Sequence, residues 1–119
     1  MKLQELVKTW FEKWETGDFK SLPLSENFIH TSPYGVIKGR NNYINLIEAN
    51  KDKFLGHSFQ IHDEIYSDDK ACVRYSATKQ GFELKVSEWY FIKNNEIEEI
   101  IAYYNIEDEI NLSEPKTTS

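Results

Sequence analysis

The hydrophobic period of this chain changes once, near His57, and that change bounds what it can fold into. Leu3, Leu6, Val7, Trp10, Phe11 and Trp14 fall at i, i+3, i+4, i+7, i+8 and i+11, a single apolar stripe on a helix with charges on its other faces. Beyond His57 the period is two: Phe59, Ile61 and Ile65 alternate with Gln60, His62 and Glu64. SDDK turns the chain at Ser67–Lys70, ACVRYSATK follows as a second long strand, and Gln80-Gly81 separates it from a third, FELKVSEWYFIK. KNNE is a tight hairpin, because asparagine tolerates the positive φ such turns require, and EIEEIIAYYNI returns as the last strand. Helices followed by an antiparallel meander predict an α+β domain, with helices packed on one face of a curved, mostly antiparallel sheet.

Between these two regimes the pattern is mixed. Gly17 stops the first helix, Asp18 is placed to cap a short helical turn, DFKSL, and Pro23 closes it. NFIHTSP reads as a strand with Phe28, His30 and Ser32 on one face and Ile29 and Thr31 on the other. Pro33 and Gly35 make a turn, and VIKG forms a small strand. A further helix is expected from Arg40–Asn42 to Gly56, capped by Asn41 or Asn42, with Tyr43, Ile44, Ile47 and Phe54 at helical spacing. Neither an internal repeat nor a linker interrupts this order, so residues 1–107 read as one domain. Residues 108–119 read as an acidic tail expected to fray.

Composition narrows the function classes. A formal charge of −6 with no basic run argues against a phosphate-tracking nucleic-acid surface and against docking on anionic lipid. One cysteine, Cys72, excludes an internal disulfide and reads as a small strand residue. No stretch approaches the ~18 apolar residues of a membrane span, and the N-terminus carries acids unlike a signal peptide, so a soluble cytoplasmic protein is expected. His30, His57 and His62 are not spaced as a ligand set, and neither HExxH nor a phosphate-cradling glycine loop is present, so no metal or cofactor is expected. Three Trp, seven Tyr and seven Phe in 119 residues are enough to line a concave site as well as fill a core.

The strings WFEKWETGDFKSL, FIHTSPYGVIKGRNNYI and NNEIEEIIAYYN, taken with the element order, resemble the NTF2-like superfamily, and more narrowly its SnoaL-like and ketosteroid-isomerase-like small domains. The resemblance runs over almost the whole chain, roughly Leu3 to Ile106. It implies a cone in which three N-terminal helices and a bent sheet enclose a deep apolar pocket, and a homodimer packed through the sheet. The isomerase-like members place a catalytic carboxylate just before the turn proline, which here is Ser32, and a tyrosine on the first helix, which here is Trp10. A serine hydroxyl cannot serve as the carboxylate base of an enolisation, and an indole N–H donates without exchanging a proton as a phenol does. The second acid of that site falls near Ser87 or Glu88. Ketosteroid isomerase chemistry is therefore disfavoured, whereas SnoaL-like cyclases and hydrolases vary their acid–base groups over one fold.

The candidate site residues follow from these faces. His30 shares the pocket face with Phe28 and Ser32 and titrates near neutrality when unperturbed, so it is either a general acid or base or a pocket-lining polar group. Glu88, embedded in VSEWYF, has two orientations open. Turned inward it needs a partner, His30 or Arg74; turned outward it leaves Ser87, Trp89 and Phe91 facing the pocket. Arg74 is expected to face out, which makes Tyr75 a cavity phenol. Trp10, Trp14 and Tyr43 are expected to line the pocket from the helices, and Tyr103 and Asn105 from the end of the last strand. Three readings remain open: a small-molecule-binding domain; an acid–base enzyme, SnoaL-like cyclase, isomerase or hydrolase, using His30, alone or with Glu88; and a protein-interaction module acting through the exposed sheet face.

Overall fold

A computed structural model describes residues 3–105; the expected tail at 108–119 lies outside the described residues. The element order is α1 (Leu3–Thr16), a 3-10 turn (Phe19–Ser21), β1 (Leu24–Ser32), β2 (Gly35–Lys38), α2 (Arg40–Ala49), a one-turn α3 (Lys51–Phe54), β3 (Ser58–Tyr66), β4 (Lys70–Lys79), β5 (Phe82–Lys93) and β6 (Glu96–Tyr103). The six strands form one curved sheet in the order β2-β1-β6-β5-β4-β3. Every pairing is antiparallel except that of β1 with β6, which is parallel, with His30 opposite Ile100. Register shifts in the β1–β6, β3–β4 and β5–β6 ladders break the regular pairing, and such irregularities bend a sheet toward the helices that cover it.

The apolar stripe of α1 behaves as its spacing predicts: Leu6, Val7, Trp10 and Phe11 are buried against the sheet. Gly17 ends the helix at φ +82°, and a Cβ there would lie 2.7 Å from Leu55 Cδ2, so both the turn and the packing require glycine. The two-residue turns Gln80-Gly81 and Asn94-Asn95 have positive φ at both positions, the twist that matches adjacent right-handed strands. The core beneath the helices centres on Phe19, Phe28, Val73, Tyr90, Ile97 and Ile100, all buried.

Three local expectations are corrected. The helix expected to reach Gly56 breaks at Asn50, whose φ of −116° is not helical and whose Nδ2 donates to the Leu46 carbonyl at 2.9 Å. An asparagine amide that competes for the backbone in this way ends helices. Asp18 caps nothing with its side chain and instead pairs with Lys13 Nζ at 3.1 Å. Gly39, not Asn41 or Asn42, occupies the N-cap of α2, while Asn42 Nδ2 donates to the Lys38 carbonyl at 2.9 Å. No described helix is long and apolar enough to cross a membrane.

Candidate functional site

The concave face of the sheet and helices α1, α2 and α3 surround a cavity of about 530 Å³. Its walls are set by strand alternation. On β1, His30 and Ser32 line it, with Phe28 fully buried beneath them rather than on the wall. On β4 and β5, Tyr75, Ala77, Leu84 and Val86 line it; on the helical side, Trp10, Phe11, Trp14, Tyr43 and Ile47 do. The aromatic side chains brace one another. Tyr43 stacks on His30 at 4.8 Å between ring centroids and on Trp10 at 6.3 Å, and Phe28 meets Tyr43 edge-on at 5.1 Å. Offset and edge-to-face contacts of this kind fix ring orientation beyond what area burial alone provides.

His30 has no side-chain hydrogen bond among the described residues. Burial among these rings lowers its pKa from 6.5 to about 4, so at neutral pH it is the uncharged imidazole, with one N–H donor and one lone pair. Such a ring is a weak base but a competent hydrogen-bonding group.

Glu88 turns inward and is buried, 4% exposed, deep behind the cavity wall. Its Oε1 accepts from the Tyr90 hydroxyl at 2.5 Å and from the Tyr75 hydroxyl at 3.1 Å. Burial raises its pKa from 4.5 to about 7, while donors on Tyr90, Tyr75 and, least, the Trp10 indole pull it back. Burial first, and then the Glu88 charge, push the phenols of Tyr43 and Tyr75 well above 10. Tyr75 is thus a neutral hydroxyl that lines the cavity and is tied to a carboxyl behind it.

The structure does not bring His30 and Glu88 together. His30 pairs across to Ile100, and Glu88 pairs with Ala102, so they sit on strands two spacings apart, about 9.5 Å sideways. The outward-facing set on β5 includes Trp89, which is 40% exposed on the opposite side of the sheet and does not line the cavity. Tyr103 likewise points outward; its neighbour Tyr104 takes the inward place on the wall, and Asn105 is exposed and off the wall. Arg74 is exposed and binds Asp63 at 2.6 Å.

Sequence reasoning missed the polar residues of the mouth: Asn50, Lys53 and His57 from the segment around α3, and Tyr34 from the β1–β2 turn. The His57 ring lies with Nδ1 3.1 Å from the Phe54 carbonyl, which can only accept, so Nδ1 carries the proton. The one available signal for this cluster was Asn50, whose type favours a helix break. Among the described residues no group of three or more His, Cys, Asp and Glu is arranged to hold a metal ion.

With this geometry in hand, the chain can be placed among known proteins. Several solved structures share the fold. An NTF2-like protein of unknown function from Cytophaga hutchinsonii aligns at 23% identity over 86% of this chain and 88% of that one, with a TM-score of 0.74. A proposed polyketide cyclase from Pseudomonas putida aligns at 20% identity over 89% and 93%, TM-score 0.72. A proposed ketosteroid isomerase from Kribbella flavida aligns at 12% identity over 97% and 86%, TM-score 0.73. At these identities the likeness is one of fold. No curated protein sequence matches the chain. Residues 7–100, the span that holds the cavity wall from Trp10 to Ile47 and from Phe59 to Val86, match the SnoaL-like domain, and the chain belongs to the SnoaL-like family, with the NTF2-like fold.

Proposed function

We propose that this protein binds an apolar, ring-bearing small molecule in the cavity, with His30 and Ser32 orienting a carbonyl or hydroxyl group on it. The observation that carries this reading is His30: an uncharged imidazole without a side-chain hydrogen bond among the described residues, held by stacking on Tyr43, on the wall of a cavity lined mostly by aromatic and aliphatic side chains. Pockets of this size and lining use a few polar groups to fix ligand orientation, and His30 is a half-buried one on this wall. The test is a thermal-shift and calorimetric screen of ring ketones, phenols and aromatic acids against wild type and His30→Phe, which keeps a ring on Tyr43 but removes both nitrogens. A ligand at about 100 times its dissociation constant adds about 2.7 kcal/mol of stability. The expected result is binding that weakens at least tenfold in the variant; equal binding by both proteins would sink the role given to His30.

Turnover is a second reading, favoured by the Tyr75–Glu88 pair rather than by His30. A neutral phenol on the cavity wall, hydrogen-bonded to a carboxyl that titrates at about pH 7, can pass a proton between a bound ligand and Glu88. Proton exchange at an acidic carbon of a bound ketone, lost in Tyr75→Phe while binding persists, is the expected signature. Exchange unchanged in that variant rules the relay out.

The uncovered face of the sheet supports pairing with a second copy of the chain. Strand register lines up Val36, Thr31, Ile101, Trp89, Cys72 and Ile65 as one continuous row across all six strands. Charges of both signs flank it: Lys38, Glu99 and Lys70 on one side, Arg74 and Asp63 on the other. An apolar centre with a mixed-sign rim suits a self-complementary twofold contact. Sedimentation showing a monomer at tens of micromolar would count against it.

A further inference from the structure

The cavity has two unlike ends. Its buried end holds neutral groups, His30, Tyr43 and Tyr75. Its mouth is built largely by one short segment, which contributes Asn50, Lys53 and His57 to the lining. Of the twenty described side chains around the cavity, Lys53 is the one with a fixed charge, and neither an Asp nor a Glu is among the described lining. This is notable in a chain whose net charge is −6. A second groove, between α1 and β3, shows the opposite character, with Glu12, Glu15 and Glu64 beside Lys8.

Lys53 is also uncommitted. The neighbouring Lys51 is paired with Glu48 at 3.6 Å, and Lys79 donates to the Asp52 carbonyl at 3.0 Å. The Lys53 backbone N–H donates to the Asn50 carbonyl at 2.9 Å, but its ammonium makes no ion pair or hydrogen bond among the described residues. The polar groups next to it are partly engaged. Asn50 spends one N–H on the Leu46 carbonyl, and His57 is held through its Nδ1–H by the Phe54 carbonyl.

From the unpaired Lys53 at the mouth of an otherwise uncharged aromatic cavity, we infer that the ligand is an amphipathic acid: a ring system seated against Trp10, Trp14 and Tyr75, with a carboxylate at the mouth facing Lys53. This rests on the reading of the cavity as a ligand site and specifies the ligand's class. An ammonium beside low-dielectric walls attracts an anion, and the carboxylate stays half in water, so its desolvation cost is small. The same arrangement disfavours ring-bearing cations, which would meet Lys53 at the mouth and find no acid on the wall.

The experiment compares acids with their own primary amides, which are close in shape and lack the charge. The probes are 2-naphthylacetic acid, phenanthrene-2-carboxylic acid and their two amides, titrated calorimetrically into wild type, Lys53→Met and Lys53→Glu. Wild type is expected to prefer each acid by about two- to fivefold, the range an exposed ion pair supports. The preference should vanish in Lys53→Met and invert in Lys53→Glu, with amide affinity unchanged throughout. Amides that bind wild type as tightly as the acids, or an acid preference that survives both substitutions, would overturn the inference while leaving the cavity a ligand site. No binding by any of the four compounds would overturn both.

Discussion

The two faces of the sheet are built from the same kinds of residue and put them to different uses. Along β5, Val86, Glu88 and Tyr90 point into the helical layer and are buried, while Trp89, between them, lies 40% exposed on the far side. The inner face tolerates a carboxyl because two phenols donate to it. The outer face carries an apolar row in which Val36, Trp89 and Ile65 are exposed among the described residues. The difference shows that burial on this sheet is decided by what packs over a strand and not by the strand's own composition. A face rich in Trp, Ile and Val without helices over it has the character of an interface.

The comparison can be broken most directly by cavity-forming substitutions. Phe28→Ala, on the inner face, is expected to cost about 3–5 kcal/mol in urea denaturation, since Phe28 is fully buried between β1 and Tyr43. Ile65→Ala, at 70% exposure on the outer face, should change monomer stability by less than about 0.5 kcal/mol. Comparable losses at the two sites would mean the faces are not distinct.

A second test uses pH and the inner face alone. Glu88 is raised from 4.5 to about 7, so between those values the unfolded chain has lost a proton that the folded chain keeps. The stability this group supports is full below pH 4.5 and is lost as pH rises to about 7. His30 is lowered from 6.5 to about 4, so there the unfolded chain keeps a proton that the folded chain has released. Its stability is full above pH 6.5 and is lost as pH falls toward 4. Each term is about 3 kcal/mol, and because the slopes oppose one another over pH 4.5–6.5, wild-type stability should be nearly flat there. Glu88→Gln should leave a curve that rises with pH, and His30→Phe one that falls. Parallel curves for the three proteins would show that neither group is held as described.

The smallest expected effect on the folded monomer belongs to Trp89→Lys. It should leave monomer stability within about 0.5 kcal/mol and, where the proposed pairing through this face holds, shift sedimentation toward monomer. A variant that stays dimeric would move the interface off this face.

Much of the fold was legible because its signals are local. The stripe from Leu3 to Trp14 sets α1, the Gln80-Gly81 and Asn94-Asn95 turns set two hairpins, and alternation on β1 puts His30 and Ser32 on one face. The site was legible only in part, because strand parity and helix ends depend on distant partners. FELKVSEWYFIK is apolar on both sides, so nothing within it distinguishes Glu88 inward from Trp89 inward; that is fixed by pairing with Val73 on β4 and Ala102 on β6. The adjacent tyrosines 103 and 104 pose the same problem, and the β5–β6 pairing, through Ser87 opposite Tyr103, turns Tyr103 outward. Asn50, Lys53 and His57 fall at i, i+3 and i+7 and would share one face of a helix, but they went unnoticed because the expectation rested on the apolar stripe of Tyr43, Ile44, Ile47 and Phe54. The break at Asn50 brings them to the mouth.

The parallel pairing of β1 with β6 has a consequence for how the protein is made. The strand that carries His30 finds this neighbour only when residues near Ile100 exist, some seventy positions later in the chain. Contacts of such long sequence separation make for slow folding, since loop closure must come before any gain from the contact. Until β6 is made, β1 has only β2 as a strand neighbour and its other edge is unpaired. A chain shortened before β6 would deprive both β1 and β5 of one strand neighbour, so a deletion at the far end of the sequence would reach the strand that carries His30.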